Sequence, residues 1–214
     1  MGGSLVESAL RAGAGQPGLK LIETLAWDGA ELLRLPLHLA RLVRSAQALG
    51  WTCDLAQVEA ALGRALPATP ARLRLTLDAM GQAEVQTADL PARKSEWRVG
   101  LALARLSAND PWLGVKSSNR HAYDTARATL PTGLDEVIFQ NQRGEVCDGS
   151  ITTVFFDRGQ GLRTPPQSCG LLPGVLRAEM AVPEELLLAR DLPQVRLWVG
   201  NSLRGLIPAT YVVQ

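Results

Sequence analysis

Histidine is almost absent from this chain: there are two, His38 and His121, too far apart in sequence to start a metal-binding cluster. Cysteine is nearly as scarce. Cys53, Cys147 and Cys169 are odd in number, widely spaced and form no CxxC pair. That argues against a disulfide framework or a zinc finger, and for reduced thiols in a cytoplasmic protein. No apolar run reaches the roughly 18 residues of a membrane span. The leading MGGSLVESALRAGAGQPG lacks the long apolar stretch of a signal peptide, and Val6 stands where a myristoylation signal has Ser or Thr. Neither sign of charge dominates. The 22 basic and 21 acidic residues leave +1, with no basic run for nucleic acid and no acidic tail. Repeats and low-complexity segments are missing too.

What is present is enough for a core: 214 residues, 46% hydrophobic, within one domain or two small lobes. The Gly13–Gly18 stretch reads as a flexible lead-in. LKLIETLAW reads as a strand ending in the Asp28-Gly29 turn. Leu39, Leu42, Val43, Ala46 and Leu49 recur at helical spacing behind Pro36 and ahead of Gly50, which predicts a helix. A second helix follows with Asp54 as its N-cap. Alternation on both sides of Met80-Gly81 predicts a hairpin, and WRVGLALARL a further strand. Beyond a connection at 107–114 come a helix carrying Asn119, Tyr123 and Ala126, then strands EVIFQ, EVCDG and TTVFF. A helix from Val175 and two closing strands complete the pattern. The pattern is α+β, with a two-layer N-terminal lobe over residues 1–106 and a β-rich lobe over 107–214 that carries Lys116.

Three blocks bear chemistry: VKSSNRHAYDTAR, DEVIFQNQRGEVCDGSITTVFF and TPPQSCGLLPGVLRAEM. Taken alone, Lys116 is a surface charge, Asp148-Gly149 a turn between strands, and Arg41 the polar face of an amphipathic helix. Each residue type also suits a more specific task. A lysine amine becomes nucleophilic and basic when burial or neighbouring cations lower its pKa. An arginine fork donates parallel hydrogen bonds to an anion. In GLLPGVLR, Gly174 permits close backbone approach, and the N–H groups of Val175 and Leu176 open a helix, a favourable place for phosphate.

In order, Arg41 in HLARL, Lys116 in Lys-x-x-Asn-Arg, the Asp148-Gly149 turn, the Pro-Gly-Val turn and Asn-Ser-Leu-Arg-Gly resemble the class IV, fold-type-IV pyridoxal-phosphate enzymes. The nearest resemblance is to the 4-amino-4-deoxychorismate lyases, including the lyase domain fused behind the synthase subunit that makes its substrate. The resemblance implies a two-lobed class IV aminotransferase-like fold: a small N-terminal α/β sandwich and a β-rich C-terminal pseudo-barrel with the cofactor between them. It implies pyridoxal 5'-phosphate held by Lys116 as a Schiff base, with Lys116 as the catalytic base and acid. Arg41, Gly174, Val175 and Leu176 would grip the phosphate. Asp148, where the family usually has Glu, would pair with the pyridine nitrogen. Asn201, Ser202 and Arg204 would frame a substrate carboxylate. A small amino substrate, a homodimer and a role in folate synthesis follow from the same resemblance. Two rival readings stand beside the lyase: a class IV transaminase for branched-chain or D-amino acids, and a non-catalytic protein of the same fold.

Overall fold

The computed structural model describes residues 5–213. They form two compact units. The first runs to Ala92 and takes back Val115–Asn119; the second comprises Arg93–Gly114 and the chain from Arg120 onward.

In the first unit, α1 (Leu5–Gly13) precedes β1 (Leu21–Trp27), α2 (Leu35–Leu49), α3 (Leu55–Arg64), β2 (Ala71–Leu77) and β3 (Ala83–Ala88). The sequence around Gly13–Gly18 reads as a loose lead-in, yet it is a series of hydrogen-bonded turns. Leu10 and Ala14, four residues apart, are both buried and tie the segment down. The Met-Gly pair at the start of the chain lies outside the described residues. Asp54 accepts hydrogen bonds from the N–H groups of Ala56 (2.9 Å) and Gln57 (3.4 Å), capping α3 as its sequence predicts. The three strands form an antiparallel sheet in the order β1-β2-β3. Leu21, Leu25, Leu73, Leu75 and Leu77 fill its core.

The buried face of α2 keeps Leu42, Ala46 and Leu49 from the apolar stripe but is rotated toward polar neighbours. His38, Arg41, Leu42, Ser45, Ala46 and Leu49 are buried, while Leu39 and Val43 are only half-buried. Three polar residues therefore face inward. Glu23, the partner of His38 and Arg41, sits on β1 on the same face as Leu21 and Leu25.

The second unit holds β4 (Trp97–Leu106), α4 (His121–Ala128), β5 (Glu136–Asn141), β6 (Val146–Gly149), β7 (Thr153–Asp157), α5 (Val175–Met180), β8 (Arg196–Asn201) and β9 (Gly205–Tyr211). Its six strands are ordered β6-β5-β4-β9-β8-β7, with β4 parallel to β5 and β9 and the remaining pairs antiparallel. The parallel β4–β5 step needs a long crossover, and α4 lies within it. β6 and β7 occupy opposite ends of this order, yet only three residues separate Gly149 from Thr153. A flat six-stranded sheet would hold them about 24 Å apart, at ~4.8 Å per strand. The sheet must curl until its edges approach, and the Gly149 N–H indeed donates to the Thr152 carbonyl (2.7 Å). Phe139, Val154, Phe155, Phe156 and Val199 lie wholly inside.

Two segments cross the 106/107 line drawn from sequence. β4, read with the first lobe, is a central strand of the second unit. Lys116, read with the second lobe, groups with the first. Both shifts come from hydrogen bonding to strands far away in the chain, which local alternation does not reveal. No helix among the described residues is long and apolar enough to cross a membrane.

Candidate active site

Lys116 lies in a short extended run laid against β1. Its carbonyl accepts from the Ile22 N–H (2.8 Å), and the Ser118 N–H donates to the Lys20 carbonyl (2.8 Å). Leu21 and Ser117 form an antiparallel bridge. The two serines that follow the lysine secure the run. Ser118 Oγ accepts from the Lys20 N–H (2.9 Å), and Ser117 Oγ accepts from the Asn119 N–H (3.2 Å). Lys116 itself is half-buried and Val115 is buried. A lysine on backbone fixed at this level is held on a rigid element rather than a loop. Asn119, expected in a helix, precedes it: α4 begins at His121.

Arg41 is buried against Glu23. Its Nε donates to Glu23 Oε1 (2.9 Å) and its Nη2 to Oε2 (2.6 Å), while His38 Nδ1 lies 2.6 Å from the same Oε2. Burial pushes the Glu23 carboxyl up. The Arg41 charge and the hydrogen bonds from Arg41 and His38 outweigh it and hold the carboxyl at about 2. Glu23 is thus ionised and fixes the Arg41 fork by a bidentate grip. Sequence reasoning passed over Glu23, although a signal was there: an acid at an inward position of a strand, with a histidine and an arginine one turn apart on the next helix.

Asp148 is the next-to-last residue of β6, 5% exposed. Its Oδ1 accepts from the Tyr123 hydroxyl (3.1 Å) and its Oδ2 from the Leu172 N–H (3.1 Å). Burial raises this carboxyl to about 7, and the nearby Glu136 charge adds to the rise. The Leu172 N–H, the Tyr123 hydroxyl and Arg120 oppose it. Behind Asp148, the turn into β7 is built around Glu136, which has no exposed surface. Glu136 Oε1 accepts from the Val137 N–H (3.0 Å), the Ser150 N–H (3.1 Å) and Ser150 Oγ. Its Oε2 accepts from the Ile151 N–H (3.1 Å) and Thr152 Oγ1 (3.0 Å). Arg127 approaches to 3.7 Å. A Cβ on Gly149 would overlap Thr152 Oγ1 and lie 2.9 Å from Glu136 Oε2, so only glycine fits there. Glu136 was also missed from sequence. It heads a strand buried on both faces, where alternation carries no signal.

Gly174 is the residue before α5, whose first two positions are Val175 and Leu176. A Cβ on Gly174 would come within 2.5 Å of Thr153 Oγ1, a closeness that keeps bulk away from the helix entry. The side chains of Val175 and Leu176 are buried. Their N–H groups belong to the first helical turn, which has no intrahelical acceptors. Asn201 is engaged by its own turn: Nδ2 donates to the Ile151 carbonyl (3.0 Å), and Oδ1 accepts from the N–H groups of Leu203 (3.1 Å) and Arg204 (3.0 Å). Ser202 is buried, and the Arg204 guanidinium lies over the Trp97 ring, 5.1 Å from its centre. Of the residues expected at the site, the first unit therefore carries Arg41 and Lys116. The second carries Asp148, Gly174, Val175, Leu176, Asn201, Ser202 and Arg204.

Comparison with known proteins identifies the family. Residues 20–212 match the model of the class IV amino-transferase family. A Schizosaccharomyces pombe protein named "Putative aminodeoxychorismate lyase" is 31% identical over 167 residues, covering 75% of this chain and 72% of its own. A crystal structure from Mesorhizobium loti, called a "Putative amino-acid aminotransferase", is 43% identical with a TM-score of 0.87, over 91% of this chain and all of that one. A Mycobacterium tuberculosis structure, described as a hypothetical aminotransferase in its pyridoxal-phosphate-bound form, has a TM-score of 0.74 at 23% identity, over 90% and 81% of the two chains. This chain is an enzyme of the class IV aminotransferase and aminodeoxychorismate lyase family, whose cofactor is pyridoxal phosphate.

Proposed function

We propose that this protein is a lyase that converts 4-amino-4-deoxychorismate to 4-aminobenzoate and pyruvate, a step of folate synthesis. The observation that carries the reading is the 31% identity, over 75% of this chain, to the fission-yeast protein named "Putative aminodeoxychorismate lyase". The donor set suits a phosphorylated pyridine. Asp148 receives one donor on each oxygen, and a carboxylate can accept about four. Its carboxyl, raised to about 7 by burial, would be returned to the ionised form by a ring N–H beside it. The N–H groups of Val175 and Leu176 open α5 without intrahelical acceptors, as an anion there requires.

Bound to these groups, pyridoxal phosphate supplies an electron sink next to the substrate amine. On this reading Arg41, braced by Glu23, would donate to the phosphate, as would the N–H groups of Val175 and Leu176. Asp148 would accept from the ring N–H. Lys116 would anchor the cofactor, and its Nζ would take the proton from the amine-bearing ring carbon of the substrate. Loss of the enolpyruvyl ether from the neighbouring carbon leaves an aromatic ring. That aromaticity provides the driving force, so the protein's main task is orientation. Ser202 and Arg204, with the backbone of Asn201, would face a substrate carboxylate. We place the reaction in the cytoplasm, carried out by a homodimer.

A second reading, transamination of an amino acid, is favoured by the 43% identity to the Mesorhizobium aminotransferase structure. One assay separates the two. Cofactor-loaded protein and Lys116→Ala are given 4-amino-4-deoxychorismate without any keto acid, and 4-aminobenzoate is followed by fluorescence. Product from the wild type alone supports the lyase. No product, with amino transfer appearing once a keto-acid acceptor is added, replaces the lyase with the transaminase.

A further inference from the structure

The Asp148 carboxylate does not stand alone. The Tyr123 ring packs edge-on against Phe139, with centroids 5.0 Å apart and planes at 68°. The Arg120 guanidinium sits over the same ring, 5.6 Å from its centre. Arg120 is itself fixed, by Nε to Asp124 (2.7 Å) and by Nη2 to the Ser150 carbonyl (2.9 Å). The phenol is therefore held at its edge and on its face, and its one polar atom is directed at Asp148 Oδ1 (3.1 Å). On the other oxygen, the Leu172 N–H provides a second fixed donor (3.1 Å). One donor on each oxygen defines the plane in which an otherwise rotatable carboxylate lies.

We propose that Tyr123 is a positioning residue that aims the Asp148 carboxylate at the cofactor's ring nitrogen. The inference rests on Asp148 being the ring-nitrogen partner. Tyr123 acts only through Asp148.

The charged and titratable groups facing Asp148 divide cleanly. Glu136 on β5 opposes its ionisation, as does burial. Tyr123 on α4 and Arg120 just before it favour ionisation, together with the Leu172 N–H. Cys147, next to Asp148 on β6, has its thiol pushed up by burial and by the Asp148 charge, so it stays neutral. Burial and Asp148 push the Tyr123 hydroxyl up as well, so it remains a donor across the working pH range. Losing that donor removes a hydrogen bond to a charged acceptor, worth on the order of ten-fold in any equilibrium that needs the charge.

The test is a double-mutant cycle read by pyridoxal-phosphate affinity, from pH 6 to 9, on wild type, Tyr123→Phe, Asp148→Asn and the double variant. Tyr123→Phe keeps the ring against Phe139. It is expected to weaken binding about ten-fold and to move the pH inflection upward. In the Asp148→Asn background the same change is expected to do nothing. Equal weakening in both backgrounds would assign Tyr123 a general packing role and overturn the proposal, as would wild-type affinity in Tyr123→Phe. If Asp148→Asn alone binds with wild-type affinity, the ring-nitrogen reading of Asp148 falls, and this inference falls with it. A cofactor-free measurement keeps the question open to refutation should the affinities be hard to resolve. The pH-dependent loss of stability caused by Asp148 must end at a higher pH in Tyr123→Phe than in wild type, and an unchanged profile contradicts the proposal.

Discussion

Asp148→Asn should stabilise the cofactor-free protein while weakening its hold on the cofactor. In the unfolded chain an aspartate releases its proton near 3.8, whereas the folded protein holds it until about 7. Below pH 3.8 both states are protonated and stability is intact. As pH rises from there, the folded state retains a proton the unfolded state has lost, and stability falls until the folded carboxyl ionises near 7. Three pH units at ~1.4 kcal/mol each amount to about 4 kcal/mol. Asn is nearly isosteric. Its amide oxygen can face the Leu172 N–H and its NH₂ the Tyr123 oxygen, so both hydrogen bonds survive with no charge to desolvate. The variant should therefore be more stable than wild type at pH 8 by up to about 4 kcal/mol, or roughly 10 °C in Tm for a chain of this size. Urea midpoints of cofactor-free protein between pH 4.5 and 8 measure this directly. The other strongly shifted carboxyls, Glu23 and Glu145, are both lowered to about 2, so their windows close near pH 4.5 and leave this range to Asp148. Adding pyridoxal phosphate should flatten the wild-type curve, because a ring N–H beside Asp148 removes the penalty. A wild-type curve that is level across pH 4.5–7, or an Asp148→Asn protein less stable than wild type at pH 8, would refute the reasoning.

Glu23 should give the opposite slope at lower pH. Its folded carboxyl is depressed from 4.5 to about 2, so its contribution is present above 4.5 and is lost as pH falls toward 2, about 3 kcal/mol in all. Acid titration of wild type against Glu23→Gln, followed by circular dichroism, should show that slope only in wild type. Arg41→Ala leaves the buried Glu23 charge without its main partner and should cost about 3–5 kcal/mol in a urea melt, besides weakening the grip on phosphate. Glu136→Ala removes the acceptor of four donors in the 149–152 turn and of the Val137 N–H, and Gly149→Ala forces a Cβ into Thr152 and Glu136. Each should lower stability by about 2 kcal/mol or more, and limited proteolysis should find the turn into β7 opened in both.

Local chemistry made most of the elements legible. Alternation located β2, β3 and β4, Asp54 announced α3, and the Pro-Gly step announced α5, because each depends on residues a few positions apart. The partners of the central strand β4 were not legible, since parallel pairing to β5 and β9 joins segments tens of residues apart and leaves no mark on either. The buried face of α2 was misjudged for a related reason. An apolar stripe is the usual sign of an inward face, but His38 and Arg41 can turn inward when a strand supplies a carboxylate to meet them, and the helix alone does not carry that information. The candidate site divides along the same line. Lys116, Arg41, Asp148 and Gly174 were singled out because motif order survives in sequence. Glu23, Glu136 and the Tyr123–Asp148 contact emerged only from the fold, because each is an interaction between elements. The three share one function in the architecture. Glu23 fixes the Arg41 fork, Glu136 fixes the turn that follows Asp148, and Tyr123 fixes the carboxylate itself. Of these, the Glu136 cluster has the most direct bearing on chemistry. Its charge raises the Asp148 carboxyl while its five accepted hydrogen bonds hold the adjoining backbone. One buried acid thus holds the turn that follows Asp148 and adds to the rise that burial imposes on the Asp148 carboxyl.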